Sequence, residues 1–94
     1  MSEIKIKQRT EKEKKAIINR LHRVIGQLQG IEKMIMEDRY CYDVLIQLSA
    51  SDKSIKAIEN IVLDAHMHTC LVDNIKNDKI EVIDELIELI KRIQ

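Results

Sequence analysis

Two thiols and one imidazole are the side chains of this sequence best suited to chemistry. His66 and Cys70 are four residues apart, and in an α-helix that spacing places both side chains on one face, where they can hold the same ion. His68, two residues beyond His66, would be turned about 200° round the helix. The spacing therefore predicts a metal site that includes His66 and Cys70, with His68 as an exposed or half-buried polar residue.

Cys41 is the third candidate ligand, and it lies twenty-nine residues before Cys70, at the other end of the same predicted helix. At 1.5 Å per residue the two sulfurs would be roughly 43 Å apart, too far for one ion or a disulfide within one chain. If two copies of this helix pack antiparallel about a two-fold axis near Ile55, Cys41 of one copy lies level with His66 and Cys70 of the other. The sequence therefore predicts two identical sites between the subunits of a dimer.

Two thiolates and one imidazole form a soft, three-coordinate ligand set. Such a set suits Cu(I) and is one ligand short of the tetrahedral shell that structural Zn²⁺ prefers. Two other interpretations stay open. Cys41 and Cys70 could be small buried apolar side chains, or they could be a sulfur-redox pair that forms disulfide, persulfide or polysulfide links between subunits.

Long amphipathic helices must position these side chains. Thr10 and Glu13 fit a capping box that begins a helix over about 11–37, and a second helix is predicted over about 41–71. Turn-forming residues at 73–74 and 77–78 then precede a short third helix with Asp78 as its N-cap. The apolar positions follow heptad spacing at Ile17, Leu21, Val24, Leu28, Ile31 and Ile35, then at Val44, Leu48, Ser51, Ile55, Ile58, Val62, Ala65 and Thr69, and finally at Ile80, Ile83, Ile87 and Ile90.

The size and composition predict one all-α domain. The 94 residues are 45% hydrophobic, lack Pro, Phe and Trp, and contain glycine only at Gly26 and Gly30, where a close helix approach is expected. Two helices this long cannot enclose a core alone, so we expect an antiparallel four-helix-bundle dimer. We assign residues 1–94 to this single domain, with 1–10 as a flexible basic arm. No apolar run could span a bilayer and no signal peptide is recognisable, so a cytoplasmic location is expected.

Charge is distributed unevenly along the chain. Residues 1–23 hold eight Lys or Arg and three Glu, a net charge of +5, whereas the remainder holds eight basic and thirteen acidic residues, a net charge of −5. A basic face of this kind can bind the phosphates of a nucleic acid. It can equally be no more than a solvated helix surface, and charge alone leaves both interpretations open.

Several short motifs together resemble the CsoR/RcnR family of bacterial transcriptional repressors over nearly the whole chain. They are Asn19-Arg20-Leu21, the stretch from Gly26 to Gly30-Ile31, Tyr40-Cys41 with Asp43-Val44, and His66-x-x-x-Cys70. The resemblance implies a three-helix subunit, an antiparallel dimer and a dimer of dimers, a homotetramer that binds operator DNA without a helix-turn-helix. It also implies a repressor and not an enzyme.

Within the family, the Cys-His-Cys set formed by Cys41, His66 and Cys70 is similar to the copper-sensing branch. The resemblance implies that apo protein binds operator double-stranded DNA and that Cu(I) releases it. Persulfide sensors keep both cysteines and lose the histidine, so a persulfide-sensing repressor is the first alternative, and a copper buffer that never contacts DNA is the second. Copper sensors also connect the metal-bound histidine to a tyrosine and a glutamate. Tyr40 matches the tyrosine, and Glu85 matches the glutamate if the preceding turn is one residue shorter.

The resemblance places DNA contacts on the basic face. Arg20 matches a family DNA-contact position, whereas Ala57 stands where some copper sensors have an arginine midway along the second helix. The predicted DNA-binding residues are basic side chains of the first two helices: Lys12, Lys15, Arg20, Arg23, Lys53 and Lys56.

Overall fold

The structure is a computed structural model that describes residues 7–78 and 80–93, apart from the side chains of residues 69–73. Within these ranges the chain is helical and contains no strand. α1 spans Glu11–Met36, α2 spans Cys41–Ala65, a π-helix spans His66–Leu71, α3 spans Val72–Lys76 and α4 spans Val82–Ile93. The all-α prediction is confirmed, and the bounds of α1 agree with the predicted helix to within one residue.

The start of α1 is fixed by the predicted cap. Thr10 has extended backbone angles of φ −68° and ψ 158°, and its Oγ1 accepts a hydrogen bond from the Glu13 N–H at 3.1 Å. The Thr10 hydroxyl in turn donates to Oε1 of Glu13 at 3.2 Å. One backbone donor that the helix leaves unpaired is thereby satisfied, so α1 begins where the sequence predicts.

A Schellman turn reverses the chain between α1 and α2. The N–H of Asp38 donates to the carbonyl of Ile35 at 3.1 Å, and the N–H of Arg39 donates to the carbonyl of Met34 at 2.9 Å. Asp38 takes the left-handed conformation at φ 54°, which an aspartate tolerates better than most residues. This turn ends α1 and lets α2 begin at Cys41 after only four residues.

The second predicted helix changes type before it ends. The α-helical pattern stops at Ala65, a π-helix follows over His66–Leu71, and α3 carries the helical path to Lys76. The predicted end near residue 71 and the predicted turn at residues 73–74 are therefore wrong. The sequence Val72-Asp73-Asn74-Ile75-Lys76 contains no Gly or Pro, and polar residues alone do not stop a helix.

The prediction of Asp78 as an N-cap is also wrong. Asp78 lies in the left-handed region at φ 62°, and its N–H donates to the carbonyl of Ile75 at 3.1 Å. An N-cap requires extended angles, so Asp78 closes the end of α3. The last helix begins at Val82.

The chain divides into two compact units, Met1–Asn60 and Ile61–Gln94. In the first unit the buried side chains are Val24 and Ile31 from α1 and Val44 and Ser51 from α2. In each pair the two residues are seven positions apart, so one heptad row of each helix faces inward. No helix of the described residues is both long and apolar enough to cross a bilayer.

Three of the remaining heptad positions of α1 carry apolar side chains that are exposed in the single chain. Leu21, Leu28 and Ile35 are 43%, 44% and 60% exposed, and Ile18 and Ile25 beside them are 45% and 50% exposed. We call these five residues the α1 apolar face. The heptad-spaced apolar positions of α1 therefore form two rows of side chains. Only one of these rows is buried within the subunit.

Gly26 and Gly30 do not provide close packing within the chain. A methyl group added at either position would meet no atom within 4 Å. The expected helix approach at these glycines is therefore absent from the subunit, and both positions open to the exterior.

Ser51 is the one polar residue among the buried side chains of the described chain. It is 2% exposed, and its Oγ has no hydrogen-bond partner. An unpaired buried hydroxyl destabilises the folded state by about 1–3 kcal/mol. We therefore expect Ser51→Ala to raise the free energy of unfolding by about 1 kcal/mol, measured by urea denaturation at fixed protein concentration.

Ser54→Ala is the matched control, because the Ser54 hydroxyl donates to the carbonyl of Ala50 at 3.1 Å. Both substitutions gain the same small helix propensity. If Ser51→Ala stabilises no more than Ser54→Ala, the Ser51 hydroxyl has no burial cost and the account of this core position is wrong.

Candidate metal centre and nucleic-acid interface

Cys41 is the first residue of α2 and belongs to the first unit. Its thiol is free and exposed. The N–H of Val44 donates to the carbonyl of Tyr40 at 3.2 Å, so the first helical turn begins at the residue before the cysteine. The helix start thus fixes the backbone at Cys41 and leaves its sulfur open to an incoming ligand.

His66 and Cys70 lie in the second unit, within the π-helix His66–Leu71. His66 is half-buried, whereas the side chain of Cys70 lies outside the described residues. A turn of π-helix has more than four residues, so positions four apart still project to nearly the same side, and such turns are frequent at functional sites. The α-helical periodicity used in the prediction missed the change of helix type.

His68 is exposed, as predicted. Its side chain is 75% exposed, and its Nε2 lies 3.2 Å from Oδ1 of Asp64, one turn earlier. An exposed imidazole paired with its own helix is not aimed at a site with His66, and the prediction of an exposed polar residue is confirmed.

The two residues expected near the histidine are both on the surface of the chain. Tyr40 is 74% exposed. Glu85 is exposed in the first turn of α4, where its N–H donates to the carbonyl of Glu81 at 3.3 Å. Among the described side chains, no three His, Cys, Asp or Glu residues form a group that could hold a metal ion.

A basic cleft between α1 and α2 brings together three of the predicted DNA-contact residues. It has a volume of about 290 Å³, and we call it the α1–α2 cleft. Lys12, Lys15 and Lys56 do not line it. Gln27 and Ser54 also line the cleft and were not predicted, because neither residue type stands out from other polar residues on a helix. The lining residues are Arg20, Arg23, Gln27, Lys53, Ser54 and Ala57.

The three cations of the cleft have no carboxylate partner among the described residues, a property they share with several other basic side chains of α1 and α2. In the described part of the chain Arg20, Arg23 and Lys53 make no ion pair, whereas Lys56 lies 4.0 Å from Asp52 and Lys14 lies 3.6 Å from Glu11. An unpaired cation keeps its full attraction for an external anion. The cleft therefore brings three unpaired cations together around one opening.

The fold and these positions define a class of protein. Over residues 13–92 the sequence matches the model of the metal-sensitive transcriptional repressors, so the chain belongs to that family. This membership confirms the resemblance inferred from the motifs, and it confirms that the chain is a repressor and not an enzyme. DNA binding and self-association are properties that the family implies.

Individual members of the family are similar to the chain in sequence and in structure. The chain is 41% identical over 85 residues to the copper-sensing transcriptional repressor CsoR of Bacillus subtilis strain 168, covering 89% of this chain and 84% of that protein. It is similar in structure to the copper-sensing repressor CsoR with Cu(I) from Geobacillus thermodenitrificans NG80-2, with a TM-score of 0.90, 31% identity and coverage of 94% and 93%. It is also similar to the nickel-responsive transcriptional regulator InrS, with a TM-score of 0.73, 30% identity and coverage of 95% and 98%.

Proposed function

We propose that this protein is a Cu(I)-sensing repressor that binds operator DNA as apo protein and releases it when Cu(I) is bound. The observation that carries the proposal is the Cys41, His66 and Cys70 set in a chain with a TM-score of 0.90 to a Cu(I)-bound copper sensor. The fold alone does not identify the metal, because a nickel-responsive regulator shares it. The soft donor set supports Cu(I), because thiolates favour this ion.

The donor chemistry of the described residues fits this metal. The Cys41 thiol is free and exposed, and His66 is half-buried at the π-helix. Cys41, His66 and Cys70 would hold Cu(I), and the bound ion supplies a bridge between the elements that carry them. A half-buried imidazole can keep one nitrogen for a metal and the other for a hydrogen bond.

Each site takes its ligands from two subunits. Cys41 is the first residue of the 25-residue α2, and His66 is the first residue after it. An α-helix of that length is about 37 Å long, so one chain would not supply both ligands to one ion. The α1 apolar face, 43–60% exposed, supports an antiparallel dimer as the source of the second chain, and we propose a dimer of dimers.

The DNA surface is the basic side of the α1–α2 hairpin. Arg20, Arg23 and Lys53 share the α1–α2 cleft, and Lys12, Lys15 and Lys56 extend the surface along the same two helices. Such a surface binds DNA mainly through its phosphates. The protein acts where the DNA is, in the cytoplasm.

Tyr40 and Glu85 are proposed to connect the metal site to the rest of the subunit. Tyr40 directly precedes Cys41, and Glu85 begins α4. A phenol or carboxylate that accepts the free N–H of His66 would fix the imidazole tautomer. Metal occupancy could then bias the packing of α4 and lower the affinity for DNA.

We expect His66→Ala to retain Cu(I) but to lose most of the Cu(I)-induced release from DNA. Two thiolates can still hold the ion, whereas the link through the imidazole is gone. The parent should lose affinity by about 5- to 150-fold, the range of ordinary allosteric coupling. Fluorescence anisotropy of a labelled duplex, selected from random DNA by the apo protein, measures this under reducing conditions.

His68→Ala is the matched control, because His68 is two residues away, exposed and paired with Asp64. It should respond to Cu(I) like the parent. If Cu(I) releases His66→Ala from DNA to the same extent as the parent, the role given to His66 is wrong. If polysulfide releases the parent and Cu(I) does not, the persulfide-sensing alternative is correct.

A further inference from the structure

The α1–α2 cleft has the composition of a receptor for one oxyanion. Its charged lining residues are Arg20, Arg23 and Lys53, with no acidic side chain among the lining residues. Three positive charges around one small volume repel one another, and that repulsion is relieved when an anion enters. The cleft is therefore better suited to a bound anion than to water alone.

The neutral side chains of the cleft differ in what they can donate. Ser54 already donates its hydroxyl proton to the carbonyl of Ala50 at 3.1 Å, so it offers no proton to a ligand. Gln27 is half-buried, and its Oε1 is enclosed without a hydrogen-bond partner. Its amide N–H groups are the only donors that Gln27 has, so Gln27 can add an uncharged donor to the three cations.

The cleft is open to solvent and large enough for a phosphate group. Its volume of about 290 Å³ leaves room for the phosphate oxygens beside the three cations. The methyl group of Ala57 is the smallest side chain in the lining. A larger residue at position 57 would fill the space from the α2 side.

We propose that the α1–α2 cleft seats a single phosphodiester of the operator backbone, held by Arg20, Arg23 and Lys53 and by the carboxamide of Gln27. This inference rests on the proposed function. It assigns one defined phosphate contact to each subunit, where the proposed function describes only a basic surface. A seated phosphate fixes the register of the hairpin on the duplex. Gln27 is then a DNA contact that carries no charge.

The first test blocks the cleft without changing charge. Ala57→Leu places a larger apolar group in the volume, and Ala57→Ser is the matched control that leaves it open. We expect apo Ala57→Leu to lose operator affinity by about tenfold or more, the loss expected for a charge-assisted hydrogen bond, and Ala57→Ser to bind like the parent. Equal binding by the parent and both variants, each shown to be folded by circular dichroism, would overturn the proposal.

The second test removes one charge. Lys53→Gln should lower the slope of log affinity against log salt by about 1 for each cleft that contacts DNA. Lys33→Gln makes the same change of charge on the exposed last turn of α1, outside the cleft, and should keep the parent slope. An unchanged slope in Lys53→Gln overturns the proposal even if Ala57→Leu fails to fold.

The third test identifies the phosphate. Single neutral methylphosphonates are introduced along the selected duplex, and the position that weakens parent binding should weaken binding by Lys53→Gln less, because one of the contacts to that phosphate is already gone. Inorganic phosphate added at constant ionic strength distinguishes a site for the free anion, and release of DNA at millimolar phosphate would reject a dedicated backbone seat. A parent protein that selects and shifts no duplex would refute the proposed function itself, a result distinct from equal binding by the parent and its variants.

Discussion

Replacing Cys41 by serine should leave operator binding by the apo protein intact and abolish its release by Cu(I). The thiol is exposed at the start of α2 and is not among the residues that line the α1–α2 cleft, so the substitution spares the proposed DNA contacts. A serine hydroxyl is a hard, neutral oxygen and a poor ligand for Cu(I). The site retains His66 and Cys70 and loses the ligand from the second subunit.

Anisotropy titrations with Cu(I) should show the parent losing about 5- to 150-fold in operator affinity and Cys41→Ser losing none. Tyr42→Phe, a change at the neighbouring exposed residue, controls for disturbance of the helix start and should respond like the parent. If Cu(I) releases Cys41→Ser from DNA as it releases the parent, Cys41 is not a ligand of the metal site.

A charge on the α1 apolar face should dissociate the oligomer and abolish DNA binding with it. Leu28 is 44% exposed in the single chain, and Leu21 and Ile25 near it are 43% and 50% exposed. Burying such a side chain contributes about 1.5–3 kcal/mol, and a dimer buries it twice. Leu28→Glu removes that gain and adds an unpaired carboxylate to the interface, which costs several kcal/mol more.

Sedimentation velocity should show Leu28→Glu as monomer at concentrations where the parent is assembled, with operator affinity reduced by about 100-fold or more, because contacts on linked subunits add. Gln29→Glu introduces the same charge at the next residue, outside this face, and should assemble normally. An assembled Leu28→Glu would show that subunits associate through another surface.

The sequence contained enough information to predict the first hairpin. The Thr10 cap is a local interaction between residues three apart, and the turn at Asp38 is closed by hydrogen bonds between residues three and five apart. Such short-range features depend on neighbours in the chain, so single-sequence reasoning reaches them.

The features that escaped prediction leave no mark in the periodic pattern of apolar residues. Periodicity of 3.5 and 3.6 residues cannot reveal a switch to a π-helix at His66, nor that Asp78 would adopt φ 62° instead of an N-cap. The heptad pattern merged two rows of α1 that the fold separates into a buried row and an exposed one. A role for Gln27 is indicated only by the fold, in which Gln27 lines the same cleft as Lys53 and Ala57 of α2.

The most direct test of the shared metal site is complementation between two inactive variants. Cys41→Ser and Cys70→Ser each remove one thiol from every site, so neither alone should respond to Cu(I). In a mixed dimer, one site loses both thiols and the other keeps Cys41 from one chain with His66 and Cys70 from its partner. Co-expressed chains with different tags, purified through both tags, should therefore bind more Cu(I) than either variant alone, up to about half of the parent's amount, and regain release from DNA. Mixed dimers that bind no more Cu(I) than either variant alone would contradict a site built from two subunits.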